Sequence, residues 1–179
     1  MADVSEATVF NYFPTKEDLF YSRLEAFEEE LLAAIREREP GESALDAFGR
    51  FLLQPRGVFA LADSGDAREA TDRLRTISRV IMESPALLAR EREVFARYAA
   101  SLAALLAEET GAAADDVEPT VVANAMLGVH RAMIDYVRRR TAAGSEAPDI
   151  ARATRLQTKR ALAVLEAGLG DYARKKVTR

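Results

Sequence analysis

The last two helical segments of this chain, about residues 117–140 and 149–173, each carry apolar residues on two sides, and this limits the possible folds more than any other feature. At about 100° per residue, Asn124, Arg131, Asp135 and Arg138 fall into one narrow polar stripe. Val122, Met126, Val129, Met133 and Val137 form an apolar row beside it. Val121, Ala125, Gly128 and Ala132 form a second row of small residues, where another helix can approach closely. The final segment repeats the pattern. Ala151, Leu162, Leu165 and Leu169 make one face, and Ala153, Leu156, Ala163, Val164 and Ala167 another. Arg152, Arg155, Lys159 and Glu166 form a thin strip between them. A helix with so wide an apolar arc has to be covered on two sides. Two such helices in succession exceed what one small core covers. The spacing therefore predicts a homodimer, a four-helix bundle around a two-fold axis. Its expected interface is Val121, Ala125, Gly128, Ala132, Leu162, Leu165 and Leu169. The alternative is a monomer whose other helices do all the covering.

Upstream, Gly and Pro fall between stretches of helical period, and no stretch alternates with period two, so the fold class is all-α. Ser5 caps a short helix that Pro14 ends. Thr15, with Asp18 three residues on, starts a longer helix whose apolar row is Phe20, Leu24, Phe27, Leu31 and Ile35. Glu39-Pro40-Gly41 breaks the chain, and Ser43 with Asp46 starts the next helix, with Leu45, Phe48 and Leu52 inward. Residues 55–65 read as a loop with at most one short turn. A helix follows from Ala67 to Met82, with Ala70, Leu74, Ile77 and Ile81 on one side. Ser84-Pro85 opens a long one to about Glu109, with Leu88, Phe95, Tyr98, Leu102 and Leu105 on one face.

Composition narrows the chemistry. The 179 residues hold no cysteine, which excludes disulfides, thiol catalysis and thiolate metal sites. Residues 1–10 lack the apolar stretch of a signal peptide, and no apolar run approaches the roughly 20 residues of a bilayer span, so a cytoplasmic location is expected. The net charge of −4 is a poor footprint for a nucleic-acid binder. Any case for DNA therefore has to come from a motif. No Gly-rich phosphate loop, nucleophile elbow or paired catalytic carboxylates occur, so neither an enzyme nor a bound cofactor is expected. His130, the single histidine, lies between the Met126 and Met133 rows. It has no second histidine or cysteine with which to hold a metal. Two roles stay open for it: a hydrogen-bonded core residue, or a polar group in a ligand pocket.

The segment from Val4 to Leu19 reads VSEATVFNYFPTKEDL. It resembles the second half of the helix-turn-helix of the tetracycline-repressor (TetR) family, approximately G-V-S-x-x-T-[LIV]-Y-x-Y-F-x-[ST]-K-[ED]-x-L. The resemblance implies a ligand-responsive transcriptional regulator, a repressor, that binds operator DNA as a dimer. In such a motif the second helix lies in the major groove. By resemblance, Ser5, Thr8 and Asn11 face the DNA, and Tyr12 and Lys16 grip phosphates. The resemblance begins where the family's second helix would be ending. The expectation is therefore a head cut short within the motif, weak operator binding by the chain as given, and tighter binding by a version extended upstream. Two regions follow: residues 1–24 as the partial DNA-binding region, and residues 25–179 as the ligand-binding and dimerisation domain. Phe48, Ile77, Phe95, Tyr98, Met126, His130 and Met133 are the expected pocket residues, suited to a small hydrophobic ligand. A dimerising, ligand-binding remnant without DNA affinity is the competing reading.

Overall fold

The computed structural model describes residues 16–63 and 65–169, with side chains from residue 26 to 63 and 65 to 168. Among them the chain forms seven helices and no strand: α1 (Lys16–Arg36), α2 (Ala44–Leu52), α3 (Val58–Ala62), α4 (Ala67–Met82), α5 (Pro85–Thr110), α6 (Glu118–Ala142) and α7 (Ala147–Leu169). The expected short turn in the 55–65 stretch is α3.

Local chemistry sets the helix starts. The Ser43 hydroxyl accepts from the Asp46 backbone N–H, while the Asp46 carboxylate accepts from the Ser43 N–H, each at 3.1 Å. This reciprocal capping box satisfies two donors that the first turn of α2 leaves orphaned. Asp66 caps α4 by accepting from the N–H groups of Arg68 and Glu69. Ser84 caps α5 ahead of Pro85, and Gly111 ends α5 with φ of 67°, a left-handed conformation that only glycine adopts without strain.

The core lies where α1, α2, α5, α6 and α7 meet. Leu31 and Ile35 of α1, Phe48 and Phe51 of α2, Tyr98, Leu102 and Leu106 of α5, and Met126 of α6 are all fully buried in it. The side chains of Phe20 and Leu24, also expected on the inner row of α1, lie outside the described residues. Helices α5 and α6 pack along each other, as do α6 and α7, while α1 lies across α2 and α5. Gly49 lets α7 come close to α2: a Cβ there would stand 2.9 Å from a Leu162 methyl.

Ion pairs tie the helices at their ends. Arg38, only 3% exposed, donates to the Ile35 and Glu42 carbonyls and forms a two-pronged pair with Glu109. Arg138, expected on the polar stripe of α6, instead grips Glu91 of α5 through both terminal nitrogens. Ile77 also departs from expectation. It is 36% exposed rather than inward. The buried side of α4 is centred between Ala70 and Thr71, whose hydroxyl accepts from the Ala147 N–H at 2.9 Å. That contact turns α4 toward α7 and leaves Ile77 at the edge of the buried arc, on the side shared with exposed Val80.

Candidate ligand site

Phe27 of α1 is the hub of an aromatic cluster. It stacks on His130 of α6 at 4.8 Å between ring centroids and on Tyr98 of α5 at 5.6 Å. It meets Phe51 of α2 edge-on at 5.1 Å. Phe95 of α5 meets the imidazole at a tilt, 5.4 Å between centroids. Offset and edge-on arrangements such as these suit ring quadrupoles, and each pair adds about 0.5–1.5 kcal/mol beyond its buried area. Four helices thus each contribute a ring to one site.

One cation joins them. Arg56, from the loop between α2 and α3, lays its guanidinium over the Phe51 ring at 4.0 Å and within 6.0 Å of the Phe27 centroid. Its terminal nitrogens donate to Glu30 at 2.7 Å and to the Gln54 side chain. Its Nε is buried and finds no acceptor among the described residues. The Nδ1 of His130 is likewise buried without a partner among the described residues. Burial, reinforced by the nearby charge of Arg56, pushes the His130 pKa down to about 4, so the imidazole is neutral at pH 7.

The expected pocket residues divide. Phe95, Tyr98 and His130 belong to this cluster. Phe48 and Met126 are fully buried in the adjoining core, and Met133 is half-buried against it. Ile77 lies apart, on the exposed edge of α4. Phe27 and Arg56 were not among the expected pocket residues. Phe27 was legible as one of an apolar row. Arg56 sits in a loop, and nothing in its neighbours signals its role. A separate surface groove of about 420 Å³ runs between α3 and α7, floored by Phe59, Ala151 and Leu156, with Arg155 4.5 Å from the Phe59 ring.

Of the expected dimer face, Val121 is 61% exposed, and Gly128 and Ala132 are exposed, with no packing neighbour among the described residues within 4 Å of a Cβ placed on Gly128. Ala125 is half-buried. Leu162 and Leu165 pack inward, against the chain's own core. Leu156 and Val164 of α7 are exposed by 50% and 73%. The side chain of Leu169 lies outside the described residues, as do Ser5, Thr8, Asn11 and Tyr12 and the side chain of Lys16, the expected DNA contacts. No helix among the described residues is long and apolar enough to cross a membrane.

The all-helical body with its two packed C-terminal helices is consistent with a TetR-like fold. The chain belongs to the TetR family of transcriptional regulators: residues 56–169 match the model of the family described as the MftR C-terminal domain. No curated protein and no solved structure matches the chain.

Proposed function

We propose that the chain is a ligand-responsive regulator of the TetR type, a repressor that binds operator DNA as a homodimer. Residues 1–24 would form part of a helix-turn-helix DNA-binding region, and residues 25–179 would sense a small hydrophobic ligand and dimerise. The observation that carries this reading is the position of Phe27. It lies on α1, the helix that continues the Val4–Leu19 motif, and stacks on His130 inside the aromatic cluster. Two residues beside it on α1 also reach other elements. Glu28 accepts from Arg97 at 2.8 Å and Ser101 at 2.6 Å, and Glu30 pairs with Arg56. A ligand that alters the packing around Phe27 acts directly on the helix leading to the DNA-binding region. In a dimer, tilting two such helices changes the separation of the recognition helices relative to the roughly 34 Å between successive major-groove faces.

The dimer is supported by the exposed Val121, Gly128 and Ala132 of α6 and the exposed Leu156 and Val164 of α7, apolar or small residues on helices that pack together.

The test is selection from a random DNA pool at low salt, where phosphate contacts contribute most to binding. The expected result is enrichment of a palindrome. Lys16→Ala should then weaken binding to all sequences, while Thr8→Ala and Asn11→Ala should change the preference among them. A pool that returns no enriched sequence would count against operator binding by this chain and favour the competing reading, a dimerising, ligand-binding protein.

A further inference from the structure

Two buried nitrogens without partners among the described residues belong to groups within 6.0 Å of one ring centroid. They are Nε of Arg56, whose guanidinium lies 6.0 Å from the Phe27 centroid, and Nδ1 of His130, which stacks on Phe27. Buried polar atoms in folded proteins are nearly always hydrogen-bonded, so two unpaired ones near a single side chain mark a place for a partner from outside the chain, water or ligand. We propose that Phe27, Arg56 and His130 form the polar end of a ligand site for an organic acid with an apolar body, whose carboxylate binds Arg56 and His130. This rests on the reading of the chain as a ligand-responsive regulator and adds the chemical class of the ligand.

Charge argues for an acid. The field of Arg56 reaches His130, where it adds to burial in disfavouring a second positive charge. The same field favours a negative group next to both. A neutral imidazole carries one N–H, and with the proton on Nδ1 it donates to a carboxylate without adding charge. Glu30 is the present counter-ion of Arg56, but it is 56% exposed. A pair that open to water is weak, whereas a carboxylate held against the rings makes stronger, charge-assisted bonds. Glu28, next to Phe27 on α1, is already engaged by Arg97 and Ser101. The rings of Phe27, Phe51, Phe95 and Tyr98 supply the apolar wall for the body of the ligand.

His130 is the only histidine, so imidazole nitrogen NMR reads this site without ambiguity. The probes are benzoate, 2-naphthoate, octanoate and decanoate, each beside its neutral amide. At least one acid should shift the His130 nitrogen resonances saturably and raise the imidazole pKa by about one unit or more, because a nearby negative charge stabilises the imidazolium. Its amide should bind at least about tenfold more weakly, the effect of losing one charge-assisted contact. Arg56→Gln should abolish the preference for acid over amide, and Arg56→Lys, which keeps the charge, should restore part of it. Arg152→Gln, on the outer surface of α7, should change nothing. The proposal is overturned if every acid leaves the His130 resonances unmoved, or if acid and amide bind alike in both the parent chain and Arg56→Lys. Neither readout involves DNA. Failure of operator binding would therefore count against the regulator reading alone, and silent His130 resonances against this proposal alone.

Discussion

His130 shows how much a single side chain can depend on its surroundings. Its pKa is about 4 in the folded chain and about 6.5 when unfolded. Above pH 6.5 it is neutral in both states and adds no pH dependence. As the pH falls from 6.5 to 4, only the unfolded chain takes up the proton, so folding stability declines. Below pH 4 both states are protonated and the loss is complete, on the order of 3 kcal/mol. His130→Phe keeps a ring against Phe27 and Phe95 and removes the titration. Urea unfolding between pH 7 and pH 4.5 should therefore show a smaller loss of stability in the variant than in the parent chain. Parallel declines would mean that the acid sensitivity originates elsewhere. The same neighbours explain why the residue's role was not legible in sequence. Helical position placed it on the apolar side of its helix, but Phe27, Phe95 and Arg56 lie 103, 35 and 74 positions earlier in the chain. Nothing local announces that they converge.

Among the helices, α2 is the one most dependent on a close approach. Nine residues long, it relies on its capping box and on burial of Phe48, Phe51 and Leu52. Gly49 faces Leu162 across the α2–α7 contact. Gly49→Ala should be nearly neutral, because the Leu162 methyl is the movable end of a flexible side chain and alanine favours the helix by about 1 kcal/mol over glycine. Gly49→Leu has no such room and should destabilise the protein by roughly 1–3 kcal/mol through overpacking. Thermal or urea denaturation of the two variants checks the contrast, and an equal cost for both would show that the contact is not size-limited. Sequence spacing had drawn attention to Gly128 as the small residue for close packing. Within one chain the close approach occurs at Gly49, because α7 returns over α2, a pairing that depends on the path of the whole chain.

For the whole molecule, the open surface of α6 and α7 determines the expected assembly. Gly128→Glu combined with Ala132→Glu would place unpaired carboxylates in the proposed dimer contact. Burying such groups costs several kcal/mol, so the dimer constant should weaken by roughly 100-fold or more. Sedimentation equilibrium should find the parent chain dimeric and the double variant monomeric with unchanged helicity. An unaltered dimer would move the interface off this face. The exposed Ile77 and Val80 on α4 offer the next surface to test.

The helical class of this chain and most of its helix starts were written locally. Capping depends on residues three apart, as in Ser43 with Asp46, and amphipathic rows depend on neighbours within two turns. The family resemblance was equally local, contained in Val4–Leu19. Tertiary structure decided three other points. It left Ile77 exposed, brought Leu162 and Leu165 into the chain's own core, and placed Arg56 over Phe51 beside Phe27 and His130. These outcomes depend on how helices rotate and cross when packed, and that is set by contacts between residues tens of positions apart. A periodic pattern shows that a helix has an apolar arc. It does not show which part of the arc its neighbours will cover.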